Sequence, residues 1–494
     1  MHASLPKRRK RAILSRTSFA LSERPRFCLN ARMPSSNTTH HAPSSSHAPA
    51  LARHIGLFFL IVYGVGDIVG SGIYGTIGVA AGAMGNAVWL AFLAAMVAAM
   101  LTGLTYASIS SRYPRAAGAA YVTQRAFGKP LLSHAIGLAV MASGLTSIAT
   151  ASNVFAQNLS PLVGGIAPRV LIAVFLLALA AINFRGIRES MWANLVCTAI
   201  EVGGLLFIIA IGMKYWGSVD YLQTPASAQG RASLTLPMLF SGAVLTFYSF
   251  VGFEDMINVS EEVRDPERTM PWGLVVAVAI ATLLYFAVSI TAVSVVDASR
   301  LADKSLGAPL VQITRKAAPW LSPWVYSAIT LFAVANTALL NYVMGSRLAY
   351  GMARQGLLPR ALGAVHRQRR TPHVAIATLL FAALALAFTG NIATLARATA
   401  LLLLTVFLVI NLALLVLQRR RGEPKGRFEV PAAVPLGGML VCAVMIAHAK
   451  RGELLVTGIL LAVIFALYLL LRPKRLTEEA PDEEGRGNGP DALV

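Results

Sequence analysis

Charge is scarce in this sequence: Asp, Glu, Lys and Arg make up 13% of its 494 residues, against about 25% in soluble domains. Cysteine is scarcer still, with Cys28, Cys197 and Cys442 far apart. That spacing excludes a disulfide framework and a paired-cysteine zinc site. No His/Glu metal pattern and no Ser/His pairing marks an enzyme. No metal and no resident cofactor is expected. An apolar stretch of secretory-signal type is also missing before Leu51.

What fills the space is apolar. Hydrophobic residues reach 56% and the mean hydropathy is +0.63. Runs of bilayer-crossing length recur at about 57–84, 87–110, 131–158, 169–184, 192–213, 236–259, 272–296, 320–350, 373–389, 394–417, 432–449 and 454–471. These predict an all-α polytopic membrane protein of about twelve spans. The net charge of +21 could point to nucleic acid, but its distribution does not. Roughly 33 Lys and Arg fall in alternate loops and roughly 10 in the others. This positive-inside pattern puts both termini in the cytoplasm and the protein in the cell membrane.

Residues 1–50 form a basic, Ser/Pro/His-rich leader, expected to be disordered. Met33 is an alternative start. Residues 51–475 hold the spans, and 476–494 read as an acidic, solvated tail.

Two spans are built unlike anchors. The first contains Val65-Gly66-Asp67-Ile68-Val69-Gly70-Ser71-Gly72-Ile73-Tyr74-Gly75, glycine-rich and with an uncompensated carboxylate. An interior glycine costs a helix about 1 kcal/mol, and Gly70-Ser71-Gly72 can release it altogether. The sixth contains Phe247-Tyr248-Ser249-Phe250-Val251-Gly252-Phe253-Glu254-Asp255, with two adjacent carboxylates in apolar surroundings. Such residues face a cavity or a partner. Interrupted segments at matching positions of two halves point to a transporter of inverted repeats, with its site between the breaks. Close packing of glycines is the plainer alternative.

Gly64-Val65-Gly66-Asp67 spells the GxGD string of intramembrane aspartyl proteases. The Tyr-Asp pair those enzymes require is missing, and the Pro-Ala-Leu string at Pro49 to Leu51 lies before the first span. Five other stretches carry a stronger resemblance. They are Gly66 to Tyr74, then Tyr106-Ala107-Ser108-Ile109-Ser110-Ser111-Arg112-Tyr113-Pro114-Arg115-Ala116-Ala117-Gly118, then Asn183-Phe184-Arg185-Gly186-Ile187-Arg188-Glu189-Ser190. Glu261-Glu262-Val263-Arg264-Asp265-Pro266-Glu267-Arg268-Thr269-Met270-Pro271 and Ser346 to Pro359 follow in order. Together they resemble the amino acid–polyamine–organocation (APC) permeases, nearest the cationic-amino-acid-transporter-like bacterial members. Ser108-Ile109 stands where that family usually has Glu-Leu.

The resemblance implies a LeuT-type fold of five plus five inverted repeats with two further helices. It also implies alternating-access transport of amino acids or related amines by a monomer or weak homodimer. Free N–H groups at Ser71, Gly72 and Ile73, after the break at Gly70, suit a carboxylate. Carbonyls of Ile68, Tyr248, Ser249 and Val251 suit an ammonium group. Phe250 and Phe253 resemble walls or gates, and Tyr248 an aromatic lid. Coupling candidates are Asp67, Glu201 and Glu254. Proton-coupled relatives carry a lysine in span five where Glu201 stands, which reverses the charge type. A buried carboxylate could load a proton, bind sodium or neutralise a cationic substrate. Proton-coupled uptake is the leading expectation. Exchange, export and non-transporting sensing stay open, as do neutral and cationic substrates. Arg112, Arg115 and Arg347 sit at inner span ends and Asp265, Glu267 and Arg268 in the cytoplasmic loop after span six, as closing ion pairs or as a solvated face. Asn336 and Asn341 are read as helix-to-helix hydrogen bonders, with contact to substrate as the alternative.

Overall fold

Each apolar run becomes helix in the computed structural model, which describes residues 53–116, 118–225, 234–303, 306, 308–389, 392–447 and 451–471. The leader 1–50 and the tail 476–494 lie outside the described residues. The first span is two helices, α1 (Leu57–Val69) and α2 (Ser71–Met84). Then come α3 (Val88–Arg112), α4 (Gly118–Phe127), α5 (Pro130–Leu159), α6 (Pro168–Arg185) and α7 (Ile187–Gly212). The sixth span is α8 (Leu236–Phe247), a tight turn at Tyr248–Phe250, and a 3-10 helix from Phe253 to Glu262. The remainder is α9 (Pro266–Val295), α10 (Ala298–Leu301), α11 (Pro309–Ala317), α12 (Pro323–Arg354), α13 (His373–Thr389), α14 (Ile392–Arg419), α15 (Ala433–Ala447) and α16 (Arg451–Leu471).

Among the described residues, eight stretches are long and apolar enough to cross a membrane, and four shorter apolar helices accompany them. Leu283, Phe381 and Leu440 stand exposed on the outside of the bundle, a surface suited to lipid rather than water. This is an all-α polytopic membrane protein; no strand occurs among the described residues. Three short helices were not anticipated: α4 in the loop after the second span, and α10 and α11 between the seventh and eighth. Pro309 starts α11, where its missing N–H costs nothing.

Packing decides which elements surround the breaks. The first span lies against α7, α9 and α12, and α3 runs along α8 and α9. At the face where α1 begins, His54 and Ile55 donate main-chain N–H bonds to Glu262 O, both at 3.0 Å, and Arg264 N donates to Ile55 O at 2.9 Å. The entry to α1 is thereby stitched to the end of the sixth span.

The same face carries a polar clasp. The segment after α14 returns over the end of α3, where Arg112 pairs with Glu429. Glu423 accepts from Tyr113 Oη at 2.7 Å and from Arg125 Nε at 3.0 Å. Burial pushes the Glu423 carboxyl up, but those hydrogen bonds and the Arg125 and Arg420 charges hold it below its ordinary value. A depressed carboxyl contributes stability that is complete above its ordinary value and is lost as pH falls through the depressed one. Glu423→Gln should therefore flatten the acid limb of thermal stability measured between pH 2 and 6. An unchanged limb would show that the clasp is not stabilising.

Candidate functional site

Two interruptions meet inside the bundle. Gly70 separates α1 from α2 with φ −41° and ψ −145°, well off the helical region. Gly252 has φ 130°, open to glycine and costly to any other residue. The two breaks touch through their main chains. A Cβ on Gly252 would lie 2.8 Å from the carbonyl carbon and oxygen of Asp67, and one on Gly72 would lie 2.9 Å from Ser249 Cα. Only residues without side chains permit this approach.

A third helix joins them. The Tyr285 hydroxyl, from α9, lies 2.5 Å from Ile68 O and 2.7 Å from Ser249 O. Breaking a helix deprives the carbonyls of its last turn of their usual partners, and Tyr285 supplies a donor at both breaks. Its ring is fully buried between Phe250 and Phe92, with centroids 5.1 and 5.7 Å away.

Beside the breaks is a cavity of about 50 Å³, large enough to admit water. It is lined by Asp67, Ile68, Gly72, Ser143, Thr146, Ser147, Thr150, Val251, Gly252, Glu254, Asp255, Thr337 and Asn341. Three of these are carboxylates and none is basic. Glu254 Oε2 accepts from Gly252 N at 2.9 Å. Asp67 is 4% exposed and neither of its carboxylate oxygens has a hydrogen-bond partner among the described residues. Unpaired buried carboxylates are costly, and the cheapest remedy is a cation or a proton.

Glu201 lies elsewhere. It is fully buried on α7, where Oε2 accepts from Asn336 Nδ2 at 3.1 Å and Oε1 has no partner among the described residues. Asn336 Nδ2 also donates to Thr198 Oγ1 at 3.0 Å, and Thr198 Oγ1 donates to Asn194 Oδ1 at 2.9 Å. This cluster presses on α1 at Gly66, where a Cβ would overlap Thr198 and Asn336. Tyr74, beyond the break, donates to Glu201 O at 3.0 Å.

Of the substrate-site residues expected from sequence, Ile68, Gly72 and Val251 line the cavity. Gly70 sits against Thr337 on α12 and Ile73 is buried away from the cavity. Ser249 packs on Gly72, and Phe250 on Tyr285. Phe253 packs on Tyr106 and Phe407, not on the cavity. Only the main chain of Ser71 and Tyr248 is described. Of the coupling candidates, Asp67 and Glu254 share the cavity and Glu201 does not. Asn341 lines it, while Asn336 bonds between helices. Sequence reasoning missed Tyr285, Ser147, Thr150 and Thr337. Asp255 had a signal, its place beside Glu254, but no role had been assigned to it.

Two broken spans whose main chains converge on a polar cavity within a lipid-facing bundle define a multi-pass membrane protein with a small-molecule site. A family model for "Amino acid permease" matches residues 55–472, and the chain belongs to that family, the APC-type permeases. It is 28% identical over 420 residues to the methylthioribose transporter of Bacillus subtilis, covering 81% of this chain and 89% of the relative. It is 23% identical over 452 residues to the branched-chain amino acid permease BcaP of the same species, covering 86% and 94%. It is 30% identical over 356 residues to cationic amino acid transporter 9 of Arabidopsis thaliana, covering 67% and 60%. These relatives are transporters, and the chain is a permease rather than an enzyme.

Proposed function

We propose that this permease is a secondary carrier that takes up amino acids or related amines by alternating access, driven by protons. The observation that carries the reading is the cavity at the two breaks, where main-chain groups of α1, α2 and the sixth span converge beside three carboxylates. A LeuT-type arrangement of two inverted five-span repeats plus two helices fits breaks in the first and sixth spans. N–H groups opening α2 at Ser71, Gly72 and Ile73 receive a substrate carboxylate. Carbonyls of Ile68, Ser249 and Val251 receive an ammonium group. The charge asymmetry of the loops supports an orientation with the Arg112–Glu429 face and both termini in the cytoplasm of a cell-membrane protein, and the carrier works as a monomer or weak homodimer.

Relatives' names span a thiosugar, branched-chain and cationic amino acids, so the substrate has to be read from the cavity. Asp67, Glu254 and Asp255 with no basic neighbour favour a substrate bearing positive charge beyond its α-ammonium, or a proton carried along with a neutral one. Asp67 is the better proton carrier than Glu201, because it faces the cavity and neither of its oxygens has a partner among the described residues, whereas one oxygen of Glu201 is held by Asn336.

The test is uptake into liposomes under an imposed pH gradient, offering the twenty amino acids and several polyamines. Asp67→Asn should lower gradient-driven accumulation by at least about tenfold, the effect of about 1.4 kcal/mol. Glu201→Gln should retain most of it. Accumulation by Asp67→Asn at the wild-type level would remove Asp67 as carrier, and uptake only into vesicles preloaded with amino acid would make the protein an exchanger.

A further inference from the structure

The Tyr285 hydroxyl occupies the point where the carbonyls of the two broken spans converge. Ile68 O and Ser249 O both lie within hydrogen-bond reach of this one oxygen. The aligned negative ends of two carbonyl dipoles need a donor between them, and a buried acceptor deprived of one bears its desolvation cost. On the carrier reading above, those carbonyls receive a substrate's ammonium group. Building on the carrier reading above, we propose that Tyr285 is the protein's own substitute for that ammonium, which lets the site close and reorient without substrate.

The placement of Tyr285 fits this role. It comes from α9, so it is independent of both α1 and the sixth span. Its ring is fixed by Phe250 and Phe92, and no rotamer change is needed to deliver the hydroxyl. The hydroxyl has one proton to share between two carbonyls, whereas an ammonium group has three N–H donors. Substrate therefore satisfies the two acceptors better than the hydroxyl does. Without substrate, the hydroxyl keeps both acceptors from being left bare as the surrounding helices close. A carrier so equipped completes its cycle empty, which is the condition for net transport. A carrier without this donor closes readily only around substrate, which is the condition for exchange. Tyr285 is thus a positioning residue that decides between the two modes.

The experiment uses purified full-length protein in liposomes and an isotope-labelled mixture of the twenty amino acids outside. Vesicles contain either buffer alone or the same mixture unlabelled. Wild type should move label into both. Tyr285→Phe, which keeps the ring and removes only the donor, should retain exchange within about twofold. Its net uptake should fall by roughly tenfold, the scale set by one buried hydrogen bond. A purely structural role would depress the two modes together, and that result would overturn the proposal. So would a variant that loses neither, or a wild type that only exchanges. No flux by wild type in either format would overturn the carrier reading itself, and the proposal with it.

Discussion

Arg347→Ala should destabilise the protein by about 3–5 kcal/mol and stop transport, because it strands a carboxylate in a sealed interior. Arg347 is 0% exposed and Glu262 1%. The guanidinium grips the carboxylate with Nε–Oε2 at 3.0 Å and Nη2–Oε1 at 3.4 Å. Its Nη1 donates to Asn183 Oδ1 and to Ser346 Oγ, the latter at 2.9 Å. Asn183 in turn donates to Tyr342 O at 3.2 Å, so α6 and α12 are locked around the pair. Glu262 is also the residue whose carbonyl accepts from His54 and Ile55. One residue thus ties the start of α1 to the sixth span through its main chain and both to α12 through its side chain. Lysine cannot reproduce the forked geometry, and Arg347→Lys should recover only part of the loss.

Two measurements separate stability from gating. Denaturant unfolding in detergent reads the 3–5 kcal/mol. A double variant, Arg347→Met with Glu262→Leu, removes both charges and should regain most of that stability, since an apolar pair can replace a buried ion pair at little cost. If the pair is a gate, the double variant folds and still fails to transport. An Arg347→Ala protein within about 1 kcal/mol of wild type would show that Glu262 is not stranded, and the coupling drawn here would fall.

Sequence made the spans and the breaks legible for plain physical reasons. Twenty apolar residues in a row have one use in a membrane, and the helices follow those runs closely. Gly70 and Gly252 stood out because glycine in a span interior needs a reason. The carboxylates Asp67, Glu254 and Asp255 stood out because charge in such a segment is expensive. Tyr285 did not, because one hydroxyl in an apolar helix looks like any packed tyrosine until its partners are known. Those partners lie 217 and 36 residues away in the chain. Glu201 looked equivalent to Asp67 by the same cost argument, yet helix rotation gives one the cavity and the other Asn336. Composition carries no record of rotation. The extramembrane helices α4, α10 and α11 escaped because short amphipathic segments leave no apolar run. The ion pair of Arg347 was foreseen only as one of several possibilities at the inner ends.

Gly252→Ala should remove transport outright and cost about 2–6 kcal/mol, adding backbone strain of about 1–3 kcal/mol to overpacking of about 1–3 kcal/mol. Its φ of 130° is outside what a side chain tolerates. Its new methyl would press on the Asp67 carbonyl at 2.8 Å, and a main-chain neighbour cannot swing aside as a long side chain can. Relief requires α1 and the sixth span to part, which separates Ile68 O from Ser249 O and releases both from Tyr285. The loss should therefore extend to exchange as well as net uptake, unlike the selective loss at Tyr285. Gly203→Ala is the matched control. Gly203 lies within α7 and an added Cβ meets nothing within 4 Å, so it should be neutral or stabilising by about 0.4–1 kcal/mol. If both glycine variants transported equally well, the close approach of the two breaks would have no part in the mechanism, and the site would have to be sought elsewhere in the bundle.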